Sequence, residues 1–133
     1  MEGVKKHYRT GDSVVKALDG IDLRILKGEY VAIMGPSGSG KSTMMNLLGC
    51  LDRPTEGTYR LNGTDVGRKD GDRLSAVRGR EIGFVFQSFN LLPRLSALEN
   101  VALPLVYQGV GKAGRLERAA EALRRVGLSG RMG

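Results

Sequence analysis

Ile21, Leu23 and Ile25 alternate with Asp22 and Arg24, so one face is apolar and one polar, and this predicts a strand. Lys27-Gly28-Glu29 then turns the chain into Tyr30–Met34, whose unbroken apolar character suits a strand covered on both faces. A helix is expected from near Gly40 to about Leu51, followed by a short strand, Thr58–Leu61. Asn62-Gly63 closes that strand into a hairpin, because both residues tolerate positive φ. Ile82–Phe86 reads as another apolar strand. Ser96 and Glu99 have capping-box spacing and open a helix. Leu116, Ala119, Ala120, Leu123 and Val126 recur at three- and four-residue steps, an amphipathic helix that Gly127 ends. Gly111–Gly114 reads as a loose connector. Strands alternating with helices predict an α/β fold with an antiparallel β part near the N-terminus.

Length and composition narrow the classes. A chain of 133 residues suits one domain with a real core. No apolar run reaches the roughly 18 residues of a membrane span, and MEGVKKHYRTG lacks a signal-peptide core, so a cytoplasmic protein is expected. Cys50 is the single cysteine; set among Leu47, Leu48 and Leu51, it reads as a small core residue rather than a reactive thiol. His7 is also alone, which excludes a metal cluster built on Cys and His. Lys and Arg number 21 against 14 Asp and Glu, a net charge of +7. The excess lies in the second half, but Asp70, Asp72, Glu81, Glu117 and Glu121 are interspersed there and aromatic residues are only 5%. A solvated basic face is expected, and no nucleic-acid partner.

The chemistry concentrates between Gly35 and Thr43. Gly35-Pro36-Ser37-Gly38-Ser39-Gly40-Lys41-Ser42 fits the phosphate-binding pattern G-x-x-x-x-G-K-[ST]. Glycines permit a backbone whose successive N–H groups ring a phosphate, and the helix that follows adds its N-terminal partial charge. Lys41 brings a full charge to the β- and γ-phosphates, and the Ser42 hydroxyl is a hard oxygen ligand for Mg²⁺. At average glycine usage a chance match in a chain this long is on the order of one in several hundred, so the loop is expected to hold nucleotide.

A phosphate loop alone does not choose among kinases, GTPases and motor ATPases. GEYVAIMGPSGSGKSTMMNLLGCLDRPTEG resembles the ATP-binding subunits of ABC transporters, and GFVFQSFNLLPRLSALENVALPL resembles their Q-loop region. The wording, including FNLLP and LENV, looks closest to the lipoprotein-release and macrolide-export branch. The resemblance covers nearly the whole chain and implies a P-loop NTPase fold of the ABC ATPase type. It places the phosphate loop at 35–43, the Q-loop near 87 and the start of a helical subdomain at about 96–128.

It also implies ATP and Mg²⁺ as cofactors, with Tyr8 stacking on adenine, Thr43 near the α-phosphate and Gln87 reaching Mg²⁺ and the attacking water. Phenylalanine is expected to serve in place of Tyr8, and Val15 is the next candidate for the base. The implied partners are a transmembrane permease subunit and a second ATP-binding subunit, at the inner face of the cell membrane. Phe89, Leu91, Leu92, Leu95 and Leu98 are candidates for the permease contact, or equally for packing within a helical subdomain.

The departures from the family pattern are large. Hydrolysis there needs an acidic pair after an apolar run, and no Asp-Glu dipeptide occurs here. LLGCLD, ending at Asp52, is the nearest imitation, but it lies on the helix leaving the phosphate loop. The LSGGQ signature and a switch histidine are missing; Leu128-Ser129-Gly130 continues as Arg131-Met132-Gly133. The chain is therefore expected to stop before the signature and the Walker B strand, with its opening strand reduced to MEGV. By this reading the chain alone is catalytically incompetent. Three classes stand: the nucleotide-binding portion of an ABC-type ATPase, a non-catalytic adenine-nucleotide module, and a basic nucleic-acid protein that carries a phosphate loop. The apolar strands Tyr30–Met34 and Ile82–Phe86 are expected not to pair with each other, and the chain is expected to be marginal or oligomeric.

Overall fold

A computed structural model describes residues 1–88 and 90–133, in two units, Met1–Gly83 and Phe84–Gly133. The first unit opens with an antiparallel hairpin, β1 (Glu2–Thr10) and β2 (Ser13–Ile21). Its two-residue turn puts Gly11 at φ +59°, where a side chain would be strained. β1 is nine residues long, so the opening strand is not reduced to MEGV. A short strand, β3 (Glu56–Thr58), pairs with the other edge of β1 and gives the order β2-β1-β3. Gly57 makes that approach possible, because a Cβ there would lie 2.4 Å from the Gly3 carbonyl oxygen.

Helix α1 (Lys41–Leu48) packs Met44 and Leu47 on Val4 and Leu18 of the hairpin, with Ile21, Leu23 and Ile33 at the margin. It ends earlier than Leu51, in a Schellman-type cap. Leu51 donates its N–H to the Asn46 carbonyl and Cys50 to that of Leu47. The left-handed position is Cys50 (φ +53°) rather than a glycine. Its thiol is buried at 1% exposure, which offsets the strain. Burial raises the thiol pKa despite the nearby Arg78 charge, as expected of a core cysteine.

The strand expected over Thr58–Leu61 divides. Thr58 ends β3, while β4 (Arg60–Leu61) pairs with β5 (Thr64–Asp65) through Asn62-Gly63, both at positive φ as the turn demands. Helix α2 (Gly71–Glu81), not expected from the sequence, is capped by Asp70, whose carboxylate accepts the Arg73 N–H. It lays Leu74 and Val77 on Cys50, Tyr59 and Val66, a second small core.

Three expected strands are corrected. Strand β2 ends at Ile21, and beyond it Met1 and Leu23 exchange a single pair of hydrogen bonds. Tyr30–Met34 and Ile82–Phe86 are not strands. The physical reason is that a strand is defined by a neighbour; apolar character extends a chain but supplies no ladder. Among the described residues, neither segment belongs to a sheet. Tyr30, Met34 and Val85 are 96%, 88% and 102% exposed.

The second unit is helical. α3 (Ala97–Tyr107) begins with the full capping box at Ser96 and Glu99, and α4 (Lys112–Arg125) packs against it. Small buried residues, Ala102 on α3 and Ala119 on α4, sit with Leu123 in its interior. Gly111–Gly114 is not a loose connector: Gly111 is the N-cap of α4 and Gly114 lies within it. Pro104 removes a backbone donor inside α3. The Asn100 side chain, one turn earlier, holds the preceding segment through both Leu92 backbone groups and the Leu95 and Ser96 carbonyls.

Candidate nucleotide site

The phosphate loop and Tyr8 both belong to the first unit. Gly35–Ser39 is solvent-exposed and leads into α1 through Gly40 at φ +87°. A Cβ on Gly40 would lie 2.5 Å from the Ala17 carbonyl and 3.0 Å from a Leu18 methyl, so loop and hairpin meet there only because the residue is glycine. Gly38 is also left-handed (φ +82°), but nothing crowds it. The Lys41 ammonium donates to the Gly35 and Pro36 carbonyls at 2.7 and 2.6 Å and reaches the Ser39 hydroxyl at 3.5 Å. A full positive charge is thereby held within the loop.

The start of α1 differs from the starts of α2 and α3. Those have Asp70 or Ser96 as side-chain caps and Asp72 or Glu99 in the first turn; α1, like α4 behind Gly111, has neither a capping side chain nor a first-turn acid. Among the described residues, no hydrogen bond is drawn from the N–H groups of Lys41, Ser42 or Thr43, or from the Ser42 and Thr43 hydroxyls. Backbone donors, a helix terminus, one ammonium and two hydroxyls form a donor set that suits an anionic phosphate chain. The residues present therefore fit the triphosphate and, through the Ser42 oxygen, its divalent ion.

Tyr8 lies on β1 opposite Val15 on β2, so the two named candidates for the base share one place on the hairpin, at 38% and 54% exposure. Its hydroxyl donates to Asp52 Oδ2 at 3.0 Å. Asp52 Oδ1 accepts from Lys6 Nζ at 2.6 Å and from the Arg53 N–H at 2.7 Å, and Lys6 also donates to the Arg53 carbonyl. Partial burial pushes the Asp52 carboxyl up, but the bonds from Lys6, Arg53 and Tyr8 outweigh it and hold the pKa below the usual carboxylate range. Asp52 lies beyond the end of α1 and in no strand, and it is engaged with these donors. No local signal announces this tie, because the partners stand 44 positions apart.

Side chains also satisfy the far end of α1. The buried Tyr59 hydroxyl donates to the Leu48 carbonyl at 2.8 Å, and Arg78 donates to that of Cys50 at 2.8 Å. Burial pushes the Tyr59 phenol up to about 12. A hollow of about 490 Å³ lies beside this end, lined by Cys50–Arg53 and the first two turns of α2. Two of its charged lining groups, Asp52 and Arg78, are hydrogen-bonded to protein groups.

Gln87 belongs to the second unit and is exposed. The strand expected before it is absent; instead the Phe84 and Phe86 rings stack at 5.5 Å. Of the apolar residues after it, Phe89 lies outside the described residues. Leu91 and Leu92 are 59% and 49% exposed, whereas Leu95 and Leu98 are partly buried.

A family model described as ABC transporter matches residues 18–132. The chain belongs to that family. It is 58% identical over 132 residues to YknY of Bacillus subtilis (strain 168), an uncharacterized ABC transporter ATP-binding protein, covering 99% of this chain and 57% of that one. It is 52% identical over 132 residues to the macrolide export ATP-binding/permease protein MacB of Hyphomonas neptunium, covering 99% of this chain and 20% of that one. Its fold matches the dimeric ATP-binding cassette MJ0796 bound to ADP and Pi, with a TM-score of 0.82 and 48% identity, over 92% of this chain and 54% of that one. The chain thus spans little more than half of YknY and of the MJ0796 cassette. The fold is that of an α/β P-loop ABC ATPase domain with an N-terminal antiparallel β part. Among the described residues, no helix is long and apolar enough to cross a membrane.

Proposed function

We propose that this chain holds Mg-ATP as the nucleotide-binding portion of an ABC-type ATPase that energises transport across a membrane. The observation that carries the reading is the Gly35–Thr43 loop, with Lys41 held on its carbonyls and an uncapped helix start behind it. In this reading the backbone of Gly35, Pro36, Ser37, Gly38, Ser39 and Gly40 wraps the phosphates, Pro36 contributing shape but no donor. Lys41 neutralises the β- and γ-phosphates, Thr43 lies near the α-phosphate, and Tyr8 covers adenine. Ser42 and Gln87 hold Mg²⁺, and Gln87 also orients water. Bound Mg²⁺ supplies charge neutralisation on the phosphate oxygens. The partners are a permease subunit and a second ATP-binding subunit, at the inner face of the cell membrane. The ATP-binding/permease name of MacB and the dimeric MJ0796 cassette support this, and MacB also favours the export branch.

Calorimetry tests the loop. Lys41→Ala should abolish Mg-ATP binding, because backbone dipoles alone do not offset the γ-phosphate charge; undiminished affinity sinks the assignment. Tyr8→Ala should weaken Mg-ATP by roughly 1–3 kcal/mol, by analogy with base–aromatic stacking.

A second reading is a non-catalytic adenine-nucleotide module, which the same phosphate loop would serve. Both readings expect no phosphate release by this chain above a Lys41→Ala control. They part when a polypeptide carrying the acidic pair is added: restored turnover favours the first, and continued binding without turnover favours the second.

A further inference from the structure

Tyr8 is a partly exposed strand residue, and such a side chain ordinarily samples several rotamers. Here two constraints fix it. Its hydroxyl is bound to Asp52, and the Lys6 ammonium sits over the ring, 5.0 Å from the centroid. Asp52 is itself tied in place by hydrogen bonds: it receives three donors, its neighbour Arg53 receives Lys6, and its own N–H donates to the Asn46 carbonyl in the last turns of α1. The ring is thus keyed to the helix whose first turn carries the phosphate loop, and one π-face is already taken by a cation.

We propose that Asp52 is a positioning residue for nucleotide binding: it fixes the plane of the Tyr8 ring relative to α1, so that the ring face away from Lys6 is set in advance for the base. The proposal rests on the reading that Tyr8 stacks on adenine. It departs from the simpler expectation that phenylalanine serves equally well at position 8, since phenylalanine keeps the π-face but loses the anchor. Pre-ordering one side chain removes an ordering cost from binding, and this should appear only in ligands that have a base.

The test compares Mg-ATP with Mg-tripolyphosphate, binding each to the full chain by calorimetry. Tyr8→Phe and Asp52→Ala should each weaken ATP by about three- to tenfold and leave tripolyphosphate unchanged. The double variant should be no weaker than the worse single one, because both remove the same anchor. Tyr8→Phe at wild-type ATP affinity overturns the proposal. So does an equal loss of both ligands in Asp52→Ala, which would mark a merely structural carboxylate. Tyr8→Ala separates the two levels. If it leaves the preference for ATP over tripolyphosphate intact, base stacking itself fails. If it erases the preference while Tyr8→Phe and Asp52→Ala do not, stacking stands and the positioning role falls.

Discussion

Tyr59 shows how a single hydroxyl can hold a helix end in place. It is buried, and its bond to the Leu48 carbonyl satisfies an acceptor that α1 leaves without an intrahelical partner. Tyr59→Phe should therefore cost about 1 kcal/mol in denaturant unfolding, with the folded spectrum retained. The same burial gives a pH signature. A phenol whose folded pKa is raised to about 12 stabilises the fold fully below the ordinary value near 10 and loses that contribution as pH rises from there to about 12. In an ultraviolet titration one of the four tyrosines should ionise last, and Tyr59→Phe should remove that late step. Asp52 works in the opposite sense. Its lowered pKa adds stability above the usual carboxylate range, which is lost as pH falls through and below about 4. Asp52→Asn should flatten the acid limb of the stability curve; an unchanged limb would show that the cluster with Lys6 and Tyr8 is energetically idle.

At the scale of elements, those whose signal is local were readable in the sequence. Ser96 and Glu99 announced α3 because a capping box lies within four residues, and Asn62-Gly63 announced the β4–β5 turn for the same reason. Ser96→Ala should accordingly destabilise the second unit by about 1 kcal/mol, measured by thermal melting. Elements that depend on distant partners were not readable. The stretch Glu2–Thr10 is mostly polar and has no alternation, and becomes β1 because β2 and β3 flank it. The reverse holds for Tyr30–Met34, which is apolar but has no ladder neighbour. Helix α2 buries only Leu74 and Val77 and contains two glycines, too little periodicity to notice. The phosphate loop was readable as a motif, yet the reason its last glycine is required was not. Gly40→Ala meets both a left-handed φ, costing about 1–3 kcal/mol, and the Ala17 carbonyl. It should lose Mg-ATP binding, whereas Gly38→Ala, strained but uncrowded, should lose less; equal affinities in the two variants would contradict this account.

For the whole molecule, two surface properties oppose each other. A net charge of +7 keeps copies apart, while Tyr30, Met34, Val85 and Phe86 offer apolar, unpaired chain to a neighbour. Added salt screens the first and leaves the second, so self-association should rise with ionic strength. Sedimentation at low and high salt checks this, and a monomer at both would show that the exposed segments do not drive assembly. Cys50 offers a different kind of access to the molecule. As the lone thiol, enclosed where α1, the β4–β5 hairpin and α2 converge, it is a timer: a thiol reagent can modify it only while those elements stand apart. With reclosing faster than modification, the labelling rate divided by that of an unhindered thiol gives the fraction of time spent open. The fold thus contains its own probe of opening at the far end of α1, with no added label and no second cysteine to confuse the signal.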